Sequence, residues 1–396
     1  MNKFLQKFSI VAIGLVLLLL AIGLVLNSKV YGENFLSKLR RMAILTAEKI
    51  QGYDLSLKEA MWYKKLATGE VQCKLCPFEC VIPEGKRGKC GVRANIDGTL
   101  RALTYGKPLV VKVEPVEQQP IFHYLPQART LVVGTAGCNL ECKFCQNWTI
   151  AQTLPENEEH YNLSPEELIE TAKERKCQII TFAATEPIVF YEYIYETAKL
   201  ADKQDIKIAV KTAGYVNPEP LRELCKYVDV VNIDIKGFSE EYYREYIGGR
   251  LQPVLEAAKI IKEEGVWEEV AYLVVPAGND NPEEIRTTTD WIMENLGADT
   301  PMHFTRFLPN YKLANRPPTP FSTLEKAVNI AKESGLKYPY VVIVPGNPYE
   351  DTYCPVCQKK IIDRDGFDVI ENHIIDGKCE YCGAEIEGVF RKDSSQ

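Results

Sequence analysis

The stretch Leu131-Val-Val-Gly-Thr-Ala-Gly-Cys138-Asn-Leu-Glu-Cys142-Lys-Phe144-Cys145-Gln-Asn-Trp148 decides how the rest of the chain is read. Its apolar opening predicts a buried strand, and three cysteines follow at once as Cys-x3-Cys-x-Phe-Cys. A cubane iron–sulfur cluster ordinarily takes four cysteine thiolates. Three of them crowded into one loop, with no fourth close behind, leave one iron without a protein ligand. An open corner of that kind suits a cluster that binds and reduces a substrate rather than one that only passes electrons on.

Around this loop, residues 129–346 alternate between strand and helix patterns. Apolar, β-rich runs lie at Thr130–Val133, Gln178–Ala183, Lys207–Thr212, Val228–Lys236, Glu268–Val275, Met302–Phe307 and Tyr340–Val344. Helical stretches fall between them at Ser164–Arg175, Val189–Asp202, Pro218–Tyr227, Leu251–Glu264, Pro282–Leu296 and Thr323–Ser334. Ser164-Pro-Glu-Glu supplies the capping residue, N1 proline and acidic first turn of a helix start. This alternation predicts an α/β domain, a partial or nearly closed (β/α) barrel, with its site where strands run into βα loops. On the fourth of these strands Asn232, Asp234 and Lys236 share one face, and Val231, Ile233 and Ile235 share the other. Polar groups turned into a barrel need a polar ligand or each other, and an Asp–Lys ion pair is the plain alternative. Lys211 joins the same interior by the same alternation. His303 reads as a satisfied core histidine, and Arg306 lies on the opposite face of its strand.

Thirteen cysteines are present, eleven of them in short-spaced groups, which fits metal binding in a reducing compartment better than a disulfide framework. Cys73, Cys76, Cys80 and Cys90 form an N-terminal group that fits either a tetrahedral zinc or a second iron–sulfur cluster. Cys354, Cys357, Cys379 and Cys382 form two matched Cys-x2-Cys knuckles, a zinc-ribbon or rubredoxin-like module for zinc or iron. Cys177 and Cys225, in apolar surroundings, read as buried packing. The formal net charge of −7 argues against an electrostatic nucleic-acid surface.

The N-terminus stands apart. Phe8 to Leu26 is an unbroken apolar run, about 28 Å long as a helix rising about 1.5 Å per residue. Val25-Leu26-Asn27-Ser28 makes a poor cleavage site, so a retained single-pass membrane anchor is expected rather than a cleaved signal. Lys29, Lys38, Arg40 and Arg41 on its C-terminal side outnumber Lys3 and Lys7 before it, so the remaining chain is expected in the cytoplasm. Five segments follow: an anchor at 1–30, juxtamembrane helices at 31–70 (Asn34–Gln51, with Asn34 as cap, and Ser56–Leu66), a four-cysteine module at 71–128, the barrel at 129–346 and the knuckle module at 347–396.

The cysteine loop resembles the signature loop of the radical S-adenosylmethionine (radical SAM) enzymes, with Phe144 at its aromatic position. The resemblance implies a [4Fe-4S] cluster on Cys138, Cys142 and Cys145, whose open iron is chelated by SAM. Reductive cleavage then yields methionine and a 5′-deoxyadenosyl radical that abstracts hydrogen from a substrate. It also implies a flavodoxin- or ferredoxin-type reductant protein. Ala183-Ala184-Thr185-Glu186-Pro187 occupies the slot of the superfamily's Gly-Gly-Glu-Pro turn beside the SAM amino group, but without its glycines. Asp234-x-Lys236 is similar to a motif of the glycyl-radical-enzyme activases that lies in the SAM and substrate pocket.

Further motifs occur in order: Glu59-Ala-Met-Trp-Tyr, Cys73-Lys-Leu-Cys-Pro, Gly88-Lys-Cys-Gly-Val-Arg93, Tyr105-Gly-Lys, Phe122-His-Tyr, Val275-Pro and His303-Phe-Thr-Arg-Phe. Together they resemble the radical SAM protein of the AmmeMemoRadiSam system, related to pyruvate formate-lyase activating enzyme, over about residues 55–392. That resemblance implies partners of the Memo and AMMECR types. Its substrate stays open between a glycine of a partner protein, an acyl group and a small molecule. Two other classes compete with an enzyme. One is a membrane-tethered iron–sulfur or rubredoxin-like electron carrier, which needs four protein ligands on every cluster. The other is a zinc-ribbon binding module.

Overall fold

The computed structural model describes residues 44–390. Phe8–Leu26 and Asn34 lie outside the described residues. Among those described, no helix is long and apolar enough to cross a membrane.

The chain enters the described region through a short helix, Ala47–Gly52, capped by an extended Thr46 whose side chain accepts a hydrogen bond from the Lys49 N–H, so the helix expected over Asn34–Gln51 is not continuous through residues 44–46. The helix expected over Ser56–Leu66 is not formed. Its place is taken by two short strands, Lys58–Glu59 and Tyr63–Lys65. The Ser56 hydroxyl accepts from the Lys58 N–H at 3.0 Å, a local bond that competes with a helical turn. Trp62 sits at φ +59, a left-handed angle no right-handed helix tolerates. Lys58–Glu59 pairs with Thr99–Ala102, which pairs with Arg93–Ile96. Tyr63–Lys65, Val71–Cys73 and Val81–Ile82 form a second three-stranded sheet.

The central sheet has eight strands in sequential order. We label them β1 Val110–Pro115, β2 Arg129–Gly134, β3 Ile179–Phe182, β4 Lys207–Thr212, β5 Val230–Asp234, β6 Trp267–Val274, β7 Met302–Arg306 and β8 Pro339–Val342. From β2 to β8 every neighbouring pair is parallel, and β1 runs antiparallel to β2 at the edge. The edge strands β1 and β8 do not pair, so the barrel is partial. Six crossover helices join the parallel strands: α1 Pro165–Glu174, α2 Tyr191–Ala201, α3 Pro218–Cys225, α4 Gln252–Glu263, α5 Pro282–Asn295 and α6 Phe321–Glu333. α1 starts in a full capping box, Ser164 and Glu167 each satisfying the other's backbone N–H. Each helix buries one stripe; α4 turns Val254, Leu255, Ala257, Ala258, Ile260 and Ile261 inward. Cys177 and Cys225 are buried packing residues.

The foot of the barrel is plugged by a polar knot. The fully buried carboxylate of Glu269 accepts from His303 Nε2 at 2.7 Å and from the backbone N–H groups of Phe122 and His123 at 2.9 and 2.8 Å. His123 in turn meets the Tyr340 hydroxyl at 2.6 Å. His303 is thus a core histidine held through Nε2, its Nδ1 buried without a partner among the described residues, and Phe122-His-Tyr is the clamp that ties the connection before β2 to β6 and β8. The C-terminal knuckles do not make a core of their own. Their Cys354, Ile361, Ile362, Ile374 and Cys379 pack with Phe122, Tyr338, Tyr340 and Val342 of the barrel.

Candidate active site

Of the residues placed in the interior by the sequence reading, Lys211, Asp234 and Lys236 come to one cavity at the C-terminal ends of the strands, whereas Asn232 is buried beneath it, donating to the Pro120 carbonyl. The cavity has a volume of about 530 Å³, enough for a nucleoside-sized ligand. Cys138, Cys142, Phe144 and Cys145 line it from the loop after β2, Ala184, Thr185 and Glu186 from the turn after β3. Lys211 of β4 and Asp234 and Lys236 at the end of β5 complete that wall.

The loop is fixed by its backbone. Glu141 and Lys143 donate to the carbonyls of Ile247 and Tyr246, and the Gly137 N–H donates to Ile150. Trp148 stacks on Tyr311 with ring centres 5.1 Å apart. Gly137 has φ +82, and a Cβ there would stand 2.6 Å from the Cys90 carbonyl oxygen, so the turn into Cys138 accepts only glycine.

Charges inside the cavity are balanced. Asp234 bonds Lys236 at 2.8 Å and faces Lys211 at 3.6 Å, and Lys211 donates to the Asn232 side chain at 2.9 Å. Burial opposes charge on all three titrating groups. For Lys236 the attraction of Asp234 and of the Cys142 sulfur overcomes it and raises the ammonium's pKa. Asp234 is likewise held below its usual range by the two lysines despite burial, while burial prevails at Lys211 and pulls it down. The Asp–Lys pair is real, yet it lines the cavity instead of being locked in the core. Glu186 is buried and fully engaged: it accepts from the Thr212 hydroxyl at 2.6 Å and from the N–H groups of Ala213 and Ile188 at 2.9 and 3.1 Å. Thr185 donates to the Thr135 carbonyl at 2.9 Å. Arg306 stays apart, bonding the Thr319 carbonyl.

Burial pushes the three loop thiols up, Cys142 to about 12. Thiolates at these positions therefore need cations against them, which is what iron supplies. Three sulfurs on one cavity, beside an ammonium and with no fourth cysteine among the described lining residues, fit a cluster with one open corner.

The second group is also assembled: Cys73, Cys76, Cys80 and Cys90 line one small cavity. The C-terminal four converge tightly, with Cys354 to Cys382 at 3.7 Å and Cys357 to Cys379 at 3.8 Å, and all four sulfurs within 4.8 Å of one another. That is the spacing of a single tetrahedral metal.

Several lining residues escaped the sequence reading. Val110, Lys112 and Glu114 of β1 face the cavity, as do Gln118 and Gln119 beyond it and Phe367 from the C-terminal hairpin. The β1 residues carried a signal in their alternation with Val111 and Val113, whereas nothing local marks Phe367.

Comparison with known proteins agrees with this geometry. The family model of the radical SAM superfamily matches residues 132–292. An uncharacterized protein of Methanocaldococcus jannaschii is 41% identical over 336 residues, 84% of this chain and 100% of that protein. The chain belongs to the radical SAM superfamily, which implies a [4Fe-4S] cluster and SAM. Within it, the activating enzymes are homologues: pyruvate formate-lyase-activating enzyme of Clostridium pasteurianum is 28% identical over 180 residues, 43% of this chain and 71% of that enzyme. Among solved structures, Streptococcus suis SuiB bound to S-adenosylmethionine aligns with a TM-score of 0.44 at 14% identity, covering 57% of this chain and 52% of that one.

Proposed function

We propose that this protein cleaves SAM reductively on a cluster held by Cys138, Cys142 and Cys145, and uses the resulting 5′-deoxyadenosyl radical to take hydrogen from a substrate. The observation that carries this reading is three cysteines of one loop, and no fourth among the described residues, on the cavity that also holds Glu186, Asp234, Lys211 and Lys236. The bound cluster and SAM supply the electron and the radical; the chain's own residues position them. Phe144 gives the cavity an aromatic wall, and Thr185 and Glu186 fix the turn after β3. Lys211 and Lys236 offer ammonium groups to an anionic part of SAM or substrate, with Asp234 keeping Lys236 charged. A polar cavity of this size is superfluous in a pure electron carrier, which disfavours that alternative.

The substrate class is that of the activating enzymes, a glycine of a partner protein, by homology with the pyruvate formate-lyase activases. The ordered motifs from Glu59 to the knuckles support Memo- and AMMECR-type partners. The apolar run 8–26 supports a single-pass anchor with the barrel in the cytoplasm, and fractionation of full-length and Δ1–30 protein tests it.

The decisive experiment is anaerobic reconstitution followed by SAM and dithionite. 5′-Deoxyadenosine should form, and Cys142→Ala should abolish it. A fully loaded protein that forms none, or whose loop cluster already has four protein ligands, would refute the assignment.

A further inference from the structure

We infer that the outer face of the cysteine loop is the docking surface for an acidic flavodoxin-type protein, with Lys143, Lys312 and Arg316 as its cations and Leu308, Tyr311 and Trp148 as its apolar part. The inference rests on the function proposed above, which requires a one-electron donor.

The loop has two faces. Cys142, Phe144 and Cys145 line the cavity. Between them in sequence, Lys143 lays its ammonium over the ring of Tyr246 at 4.7 Å. Tyr246 belongs to the π-helical turn Tyr243–Ile247 and is half-buried. The segment after β7 is strapped across the same side. Its Lys312 N–H donates to the Lys143 carbonyl at 3.0 Å, and its Asn310 side chain donates to the Gln146 carbonyl at 3.3 Å. Arg316 closes the strap by donating to the Tyr246 hydroxyl at 2.8 Å, its guanidinium 5.2 Å from the centre of that ring. Lys143 is one residue, about 3.8 Å of chain, from Cys142. A protein seated on this face therefore stands one backbone's thickness from the cysteine side chains.

Charge says what kind of protein that is. The loop 138–148, the turn 243–247 and the strap 308–316 carry four cations, Lys143, Arg244, Lys312 and Arg316, against two carboxylates, Glu141 and Glu245. Glu141 is engaged by Lys89 at 3.4 Å. Lys143, Lys312 and Arg316 each lie over a tyrosine ring, which holds a cation in place without cancelling its charge. On a chain whose formal net charge is −7, this local positive excess draws an acidic protein to the loop, and the rest of the surface repels it.

The apolar part selects the carrier. Leu308 is 40% exposed. Three residues on, Tyr311 stacks on Trp148 with ring centres 5.1 Å apart, both half-buried. Aromatic and apolar side chains beside cations suit the exposed dimethylbenzene edge of a flavin in an acidic protein. One electron passes from the anionic flavin hydroquinone, which becomes the neutral semiquinone, to the cluster on Cys138, Cys142 and Cys145. No bond forms or breaks, and no proton moves.

The test mixes the reconstituted full-length protein anaerobically with photoreduced flavodoxin and follows the flavin semiquinone in a stopped-flow instrument. The wild-type rate should fall as sodium chloride is raised. Lys312→Glu, a change at an exposed side chain, should slow it at least ~tenfold at low salt. The same variant should weaken flavodoxin binding in titrations, a readout that needs no turnover. Its iron content and its 5′-deoxyadenosine yield with dithionite should match the wild type. Lys143→Gln/Lys312→Gln should be slowed likewise and lose most of the salt dependence. Unchanged rates in both variants, or a wild-type rate indifferent to salt, would overturn the surface. An acidic ferredoxin that reduces the loop cluster with the same dependence on Lys312, where flavodoxin fails, would overturn the choice of carrier. A protein that takes the electron through this face yet forms no 5′-deoxyadenosine would instead count against the proposed function.

Discussion

Ala184 holds φ +69, an angle that glycine adopts without strain and alanine does not. Its carbonyl is tied down by the Asn147 side chain at 2.6 Å, and a Cβ on Gly134 would come within 2.9 Å of its methyl. The superfamily turn that this stretch resembles implies glycine here; this chain sets alanine in the left-handed region, its carbonyl held by Asn147. Ala184→Gly should therefore leave SAM binding intact and raise stability by about 1 kcal/mol, read from denaturant midpoints. A loss of binding would mean that the methyl itself contacts the ligand. Lys236 makes the complementary case, because its ammonium faces the cavity and a charge-assisted hydrogen bond contributes roughly 1.5–3 kcal/mol. Lys236→Met should weaken SAM or substrate binding at least tenfold in anaerobic titrations. At this scale the sequence was readable wherever chemistry coincided with periodicity. Asp234, Lys236 and Lys211 followed from strand alternation, and the cysteines from spacing. Phe367 was not, because its place depends on a hairpin folding back from more than a hundred residues beyond β5.

The elements were legible for a related reason. A parallel strand buried on both faces and a helix with one apolar stripe leave different periods in the chain, and α1 announces itself by its cap. Ser164→Ala should cost about 1 kcal/mol by breaking the capping box, with SAM turnover unaffected. Segments without a period were misread: Ser56–Leu66 has helix-compatible composition, but the left-handed Trp62 and pairing with distant strands override it. The clamp at the barrel foot makes a pH prediction. Burial depresses His123 to about 4, from an ordinary value near about 6.5. The unfolded chain therefore binds a proton that the folded one refuses, and stability falls as pH drops between those values. The slope from this residue is about 1.4 kcal/mol per pH unit. His123→Asn should flatten the measured pH dependence of unfolding in that window by a comparable amount; an unaltered slope would assign it to other groups.

At the scale of the molecule, the knuckles and the barrel stand or fall together along β8. Metal extraction from Cys354, Cys357, Cys379 and Cys382, or Cys379→Ala, should raise hydrogen exchange at residues 122–124 and 339–342, because Phe122, Tyr338 and Tyr340 belong to the shared core. Helix α1, packed on α2 at the other side of the sheet from β8, should stay protected. Equal protection before and after would show that β8 holds without the knuckles.

The sheet that never closes has a consequence of its own. With β1 and β8 unjoined, no ladder of hydrogen bonds sets the girth of the vessel; a stave is missing, and what leans across the gap decides how wide a guest it admits. Phe367 is the bumper at that gap. Trimming it to alanine should broaden the set of compounds that speed SAM turnover, and identical selectivity would place the gatekeeping elsewhere on the rim.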